Sequence, residues 1–188
     1  MTPPFFTIGH SNRSLDAFIA LLRESEVRRV VDVRAFPRSR TNPAFNADSL
    51  PIALADHAIA YRHLAALGGR RGKSDTVPVE VNCFWTHPSF HHYADYALSA
   101  PFRAGLDELV AMGRRERCAV MCSEAVWWRC HRRIVTDYLL ARGETVFHIL
   151  AAGHVDAARL TEGAVVRPDR SITYPAADLF GPQSQAGR

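Results

Sequence analysis

The sequence predicts one α/β domain, built on a mostly parallel sheet that helices cover on both faces. Short apolar runs that suit buried strands alternate with longer segments of helical periodicity, and this order is typical of α/β folds. The strand runs are almost continuously apolar, as in parallel sheets buried on both faces. The chain has 188 residues, enough for one hydrophobic core. A doubly wound sheet is the first expectation, and a small or incomplete barrel is the alternative.

The first half of the chain is expected to contain three strands and two helices. The first strand, FFTIG, is apolar, and Ser14 then suits the cap of a helix with apolar residues at helical spacing. The VVDV run is mostly β-branched, and the segment after it has two prolines and is expected to be a loop. The predicted order is strand 5–9, helix 15–25, strand 30–33, helix 47–57 and strand 59–63.

The second half is expected to open with a long exposed loop, because GGRRGKSDTVP is the most polar and glycine-rich stretch of the chain. Prolines suit the first turns of two helices, and CAVMC and VFHIL are apolar runs typical of buried strands. The predicted order is helix 88–98, helix 101–115, strand 118–122, helix 130–141 and strand 146–150. The domain is expected to span residues 1–180, and the tail 181–188 is expected to be disordered.

The composition is that of a globular protein with a modest positive charge. The formal net charge is +4 and the pI is about 9.1, and Lys73 is the only lysine. This balance permits an anionic small molecule or a nucleic acid as a partner without requiring either. No apolar stretch approaches the length of a transmembrane helix, and the N-terminus lacks the pattern of a secretory signal. We therefore expect a cytoplasmic protein without membrane contact, whose four cysteines are reduced.

Polar side chains of unusual chemistry follow the predicted strands. Because ligands of parallel sheets bind beyond the carboxyl ends of the strands, residues at these positions are candidates for a site. Histidine, arginine, cysteine and carboxylate recur there. They are His10 and Ser11 after the first strand, Asp32 and Arg34 at the second, Arg70 after the third, and Cys122, Glu124, Cys130, His131 and Arg132 after the fourth.

The same residues carry a resemblance to a known family. The segments TIGHSNRSLDAFI, VVDVRAFPRSR with NPAF, LGGR, and MCSEAVWWRCHRRIV with VFHIL resemble the bacterial and archaeal domain-of-unknown-function 488 family over roughly residues 5–155. The most specific part is Cys-x-Glu followed by Cys-His-Arg. The resemblance implies a site but no reaction. The site positions that it implies are His10, Ser11, Asp32, Arg34, Cys122, Glu124, Cys130, His131 and Arg132.

The leading hypothesis is an enzyme, of hydrolase or transferase type, that acts on an anionic substrate such as a phosphate or nucleotide. A thiol at a strand end, near a helix N-terminus and arginines, is expected to have a lowered pKa. Cys122 is therefore the predicted nucleophile, with Glu124 and His131 moving protons and His10 and Asp32 assisting. The alternative for Cys122 is a small buried apolar residue. The predicted substrate-binding residues are Ser11, Arg34, Arg70 and Arg132.

Three other functions stay open at this stage. A non-catalytic nucleotide or nucleic-acid binding module fits the basic pI and the aromatic segments. A metal-dependent hydrolase would use Cys122, Cys130 and His131, but this spacing is not standard and adjacent cysteine and histidine rarely point at one ion, so a metal is not favoured. Sulfurtransferase or phosphatase chemistry is a minor alternative, because Arg129 lies one residue too far from Cys122 and the loop lacks glycine. The sequence leaves the oligomeric state open.

Overall fold

The computed structural model describes residues 2–176 of the chain. Its strands are β1 (Phe5–Gly9), β2 (Arg29–Asp32), β3 (Ala60–His63), β4 (Cys118–Cys122), β5 (Val146–Ala151), β6 (His154–Ala157), β7 (Val165–Val166) and β8 (Ile172–Thr173). Its helices are α1 (Leu15–Glu24), α2 (Leu50–Ala55), α3 (Pro88–Ala97), α4 (Ala100–Gly113) and α5 (Arg132–Ala141). The segment 181–188, predicted to be a disordered tail, lies outside the described residues.

The main sheet is open and mostly parallel. Across residues 2–176 it has six strands in the order β3-β2-β4-β1-β5-β6. The first five are parallel to their neighbours, and β6 pairs antiparallel with β5. Within residues 2–176, the edge strands β3 and β6 do not pair with each other, so no barrel closes. The predicted α/β fold is confirmed, and the barrel alternative is wrong.

Alternate strand positions build two hydrophobic cores, one on each face of the sheet. On one face, Phe6 and Ile8 pack with the apolar sides of α1 and α2. On the other face, Phe5 and Val120 pack with α3, α4 and α5. Every residue of β1 and β4 is buried, as expected of central strands covered on both faces. This arrangement holds the carboxyl ends of β2, β4 and β1 side by side.

Backbone hydrogen bonds continue the sheet beyond these strand ends. The Val33 amide donates to the Met121 carbonyl at 2.9 Å, and the His10 amide donates to the Cys122 carbonyl at 3.0 Å. Gly9 permits this close approach, since a Cβ there would lie 1.9 Å from the Glu124 carbonyl oxygen. The loops after β1 and β4 therefore lie against each other at one edge of the sheet.

Two helices begin later than the sequence predicts. Helix α2 begins at Leu50 because the preceding residues form a turn in which the Ser49 amide donates to the Asn46 carbonyl. Helix α5 begins at Arg132 because Cys130 has an extended backbone, with φ −130° and ψ 148°. Among residues 2–176, no helix combines the length and apolar character needed to cross a bilayer.

Candidate active site at the carboxyl edge of the sheet

A cavity of about 570 Å³ opens beyond the carboxyl ends of β1, β2 and β4. Loops that follow these strands line most of it, and the first turns of α3 close one side with Ser89, Phe90 and Tyr93. The cavity brings together thiols, imidazoles, guanidinium groups and a carboxylate. The residues that carry them are His10, Arg34, Arg38, Arg70, Cys122, Glu124, Arg129, Cys130 and His131. Most of the predicted site residues therefore line one cavity.

Cys122, Cys130 and His131 form a compact group, called the Cys–Cys–His cluster below. One ligand atom from each side chain lies within 4.8 Å of the other two. The His131 Nδ1 atom lies 3.7 Å from the Cys130 sulfur. From the sequence, adjacent Cys130 and His131 were not expected to point at one ion. Because Cys130 is extended and His131 is already helical in its backbone angles, their side chains point to the same place instead.

The ring of His131 is held in one orientation. Its Nε2 atom donates to the Val33 carbonyl at 2.9 Å, and the ring contacts Tyr93 with centroids 4.9 Å apart. Burial lowers the pKa of His131, so the ring is neutral at pH 7 and Nδ1 keeps its lone pair. A Cβ on Gly69 would lie 2.8 Å from that nitrogen, so glycine keeps the adjacent space open.

Arg132 lies behind the cluster and changes the chemistry of its thiols. This side chain is 1% exposed, its Nε donates to the Cys130 sulfur at 3.3 Å, and its Nη2 donates to the Glu124 carbonyl. Burial raises the pKa of Cys130, but the hydrogen bond with Cys122 and the Arg132 charge outweigh it and lower the pKa to about 6. The hydrogen bond with Cys130 and burial raise the pKa of Cys122. These shifts make Cys130 the more acidic thiol, whereas the sequence favoured Cys122.

Asp32 and Arg34 form a buried ion pair at the end of β2. The Arg34 Nε donates to Oδ1 of Asp32 at 2.9 Å and its Nη2 donates to Oδ2 at 2.6 Å. The Tyr61 hydroxyl also donates to Oδ2, at 2.7 Å. Both carboxylate oxygens thus accept hydrogen bonds, and Asp32 is 0% exposed. This geometry suits a residue that orients Arg34, and the catalytic role of Asp32 stays a prediction.

His10 contacts the same ion pair. Its Nδ1 lies 3.0 Å from the Ser11 carbonyl, and its Nε2 lies 3.3 Å from Nη1 of Arg34. The ring stacks on Phe45 with centroids 4.4 Å apart. Burial lowers the pKa of His10, so Nδ1 donates to the carbonyl while the neutral Nε2 accepts from Arg34. With both nitrogens engaged, His10 holds Arg34 at the cavity wall, and its proton-transfer role stays a prediction.

The other predicted binding residues take different positions. Arg70 lines the cavity, and its guanidinium lies over the ring of Phe36, 5.7 Å from the centroid. Ser11 lines an adjoining cavity of about 890 Å³, which shares Glu124 and Arg129 with the first. Arg132 is buried behind the cluster, as described above. The structure therefore brings Arg34 and Arg70 to the first cavity and places Ser11 and Arg132 outside its lining.

Several lining residues were missed by the sequence argument. Arg38 was not among the predicted binding residues, and Arg129 was considered only as evidence against a phosphatase loop. The first turns of α3 lie beside the cavity because of long-range contacts, such as the hydrogen bond that the Tyr93 hydroxyl donates to the Leu67 carbonyl at 2.7 Å. Trp85 stacks on Phe90 with centroids 4.9 Å apart. No local pattern in the sequence signals these contacts.

The fold and the cavity define an open α/β protein with a polar cavity at the carboxyl edge of its sheet. The chain matches the model of the family described as "Domain of unknown function DUF488" over residues 14–139, more than half of its length, and it belongs to that family. The match includes Asp32, Arg34 and the Cys–Cys–His cluster, and it begins after His10 and Ser11. No curated protein and no solved structure matches the chain. The family assignment confirms the resemblance and leaves the activity open.

Proposed function

We propose that the protein is an enzyme that acts on an anionic, phosphate-bearing substrate in the 570 Å³ cavity. The observation that carries the proposal is the meeting of two kinds of group in this cavity. Guanidinium groups can bind the anion, and the Cys–Cys–His cluster with Glu124 can perform chemistry on it. Ligand sites of parallel α/β sheets lie at this same edge.

Anion binding is assigned to the arginines that line the cavity and are not held by a buried carboxylate. These are Arg38, Arg70 and Arg129. Planar guanidinium forks match phosphate oxygens in pairs of parallel hydrogen bonds, which gives orientation as well as charge. Arg34 contributes its positive charge at the wall of the cavity, where Asp32 and His10 fix its position. His10 and Asp32 are positioning residues in this proposal.

The reacting group is assigned to the cluster. Cys130 forms a thiolate, the nucleophilic and metal-binding state of a thiol, more readily than Cys122, because the buried Arg132 donates to its sulfur. Glu124 is exposed and lines the cavity, so its carboxylate can exchange protons with both substrate and solvent. This assignment differs from the sequence hypothesis in the thiol that it favours and keeps Glu124 in the same role.

The binding half of the proposal is tested with inorganic phosphate and pyrophosphate in calorimetric titrations at low salt. We expect Arg129→Gln to weaken binding about 10-fold, the effect of one lost charge-assisted hydrogen bond. Arg115→Gln is the matched control, since Arg115 is exposed and does not line the cavity. Equal weakening by both variants, or no binding by the wild type, would contradict an anion site in this cavity.

The catalytic half is tested by phosphate release from a panel of phosphomonoesters and nucleotides. Turnover of any member should fall by at least about 100-fold in the Cys130→Ala and Glu124→Gln variants, the range expected for nucleophilic and acid–base groups. The Cys122→Ala, Glu124→Ala double variant should be inactive. Undiminished turnover in this double variant would remove the cluster from the mechanism.

A non-catalytic nucleotide or nucleic-acid binding module is the second candidate, and one observation favours it. Phe36 is 69% exposed at the cavity, where Arg70 lies over its ring, and such an aromatic face can stack on a base. Binding that weakens steeply with salt, depends on Phe36 and survives loss of the cluster would support this candidate over the enzyme.

A further inference from the structure

The Cys–Cys–His cluster has the composition of a transition-metal site. We infer that Cys122, Cys130 and His131 bind one zinc-class divalent ion and leave its fourth coordination position open to the cavity. This inference deepens the proposed function by naming a cofactor for the same site. It rests on that function only for the role of the ion, because binding of the ion depends on the three side chains alone.

The distances suit a tetrahedral centre. Zinc bonds of about 2.3 Å to sulfur and about 2.0–2.1 Å to nitrogen place tetrahedral ligand atoms about 3.5–3.8 Å apart. The Cys130 sulfur and the His131 Nδ1 atom are 3.7 Å apart, and no ligand atom is more than 4.8 Å from another. Shortening the longest separation by about 1 Å would complete the geometry. The spacing is therefore that of ligands around a common centre.

Contacts around the cluster orient the ligand atoms. The hydrogen bond from His131 Nε2 to the Val33 carbonyl leaves Nδ1 as the ligating nitrogen, and metal-bound histidines in proteins are held by such a bond on the other nitrogen. The ring contact with Tyr93 restricts rotation of the imidazole. The ligands are thus oriented before an ion binds.

The ligand chemistry and the local charge specify the ion and its fourth ligand. Two cysteines and one imidazole suit zinc or iron and disfavour magnesium and calcium, which prefer oxygen ligands. Two thiolates and a dication are neutral together, and the buried Arg132 guanidinium then adds one positive charge. That charge favours an anion at the open position.

Gly69 supplies an independent observation that the space beside the cluster is kept free. A Cβ at this position would lie 2.8 Å from His131 Nδ1 and 3.2 Å from Cε1. The ring cannot move aside at low cost, because Val33 and Tyr93 hold it. At Gly72, on the same loop, a Cβ would meet nothing within 4 Å. The two glycines therefore form a matched pair for substitution.

The test uses the full chain, purified without chelators and kept in phosphate-free buffer. Elemental analysis should find about one zinc or iron ion per chain, and Co²⁺ exchanged into the site should give thiolate-to-cobalt charge-transfer absorption with the d–d bands of a tetrahedral ion. X-ray absorption at the edge of the metal found should show two sulfur ligands and one imidazole nitrogen. This last measurement needs no variant, so it decides the question even where substituted proteins fail to fold.

Variants then assign the ligands. Cys130→Ser, His131→Gln and Gly69→Ala should each weaken Co²⁺ binding by at least about 10-fold. Cys83→Ser and Gly72→Ala should bind Co²⁺ like the wild type, since neither position belongs to the cluster. No Co²⁺ binding by a wild type with four titratable thiols, or equal binding by the Cys130→Ser variant, would overturn the site.

Failure of this inference and failure of the proposed function are distinguishable. Phosphate titration of chelator-treated protein measures anion binding without the ion, and Co²⁺ titration in phosphate-free buffer measures the ion without the anion. Ion binding without phosphate binding supports the metal site and contradicts the anionic substrate. Phosphate binding by a protein that binds no Co²⁺ supports the anion site and overturns the metal site.

Discussion

At the residue scale, the ion pair of Asp32 and Arg34 determines how the cavity wall is built. Arg34 is buried, yet it carries a full charge beside His10, which burial keeps neutral. Burial lowers the pKa of Arg34, and the Asp32 carboxylate outweighs burial and raises it. The carboxylate therefore compensates a charge that would otherwise be expensive to bury. We therefore expect Asp32 to contribute to stability, in addition to the positioning role proposed above.

Asp32→Asn should lower the free energy of unfolding by about 3–5 kcal/mol, because it leaves the buried guanidinium without a counter-charge. The matched control is Glu108→Gln, which breaks the pair of Arg62 and Glu108, whose N–O distance is 2.7 Å and whose side chains are 54% and 40% exposed. That change should cost less than about 1 kcal/mol. Urea denaturation of both variants at pH 7 measures the difference. A similarly small loss of unfolding free energy in both variants would show that groups other than Asp32 compensate the charge of Arg34.

At the element scale, a glycine lies in a close contact between a helix and the sheet. Gly113, at the end of α4, packs on the ring of Phe5 in β1, and a Cβ there would lie 1.9 Å from Cζ of that ring. Phe5 belongs to a central strand and is 0% exposed, so the ring has no free space to enter. The absence of a side chain thus sets the distance between α4 and the sheet.

Gly113→Ala should therefore destabilise the protein by about 1–3 kcal/mol through overpacking, although alanine is the better helix former by about 1 kcal/mol. Ala111→Gly, at an exposed position of the same helix, is the comparison and should cost about 1 kcal/mol for propensity alone. Thermal unfolding of the two variants shows whether each substitution stabilises or destabilises the protein. A stabilised Gly113→Ala protein would mean that α4 moves away from β1 at little cost.

The elements that the sequence predicts well are those with buried, continuous apolar runs. Strands β1 and β4 have the predicted bounds because all their residues are buried, so their composition alone identifies them. Strand β6 was not predicted, because its four residues are all exposed and do not form a continuous apolar run. The short β7 and β8 strands have two residues each, too few for periodicity.

The edge of the sheet at which the candidate residues meet could be predicted from the sequence, but the orientations of their side chains could not. Parallel strands end at one edge, so the residues that follow them could be brought together from the sequence. The convergence of Cys130 with His131 depends on one extended residue before α5, which no spacing rule reveals. The inward placement of Arg132 depends on its hydrogen bonds to the Cys130 sulfur and the Glu124 carbonyl, and no sequence pattern specifies the loop conformation that forms them.

At the scale of the whole molecule, the two cores restrict which groups can take up protons as the solution becomes acidic. His148 lies in β5 and is 1% exposed, with Nδ1 2.7 Å from the Thr7 hydroxyl and its ring stacked on Trp127 at 4.2 Å. Burial and the charge of Arg132 lower its pKa to about 4, while Asp156 acts in the opposite direction. The unfolded chain protonates the same imidazole near pH 6.5.

The unfolded chain binds this proton at a higher pH than the folded protein does. The free energy of unfolding therefore decreases as the pH falls from 6.5 towards 4, and His148 has no such effect above pH 6.5. The loss of unfolding free energy due to His148 should reach about 3 kcal/mol at pH 4. Urea denaturation at pH 7, 5.5 and 4 should show that His148→Gln loses less stability over this range than the wild type, by about that amount. His57→Gln, which removes an exposed histidine, should follow the wild type, since the other titrating groups are shared. Equal pH dependence in the wild type and His148→Gln would mean that the folded protein protonates His148 as readily as the unfolded chain does.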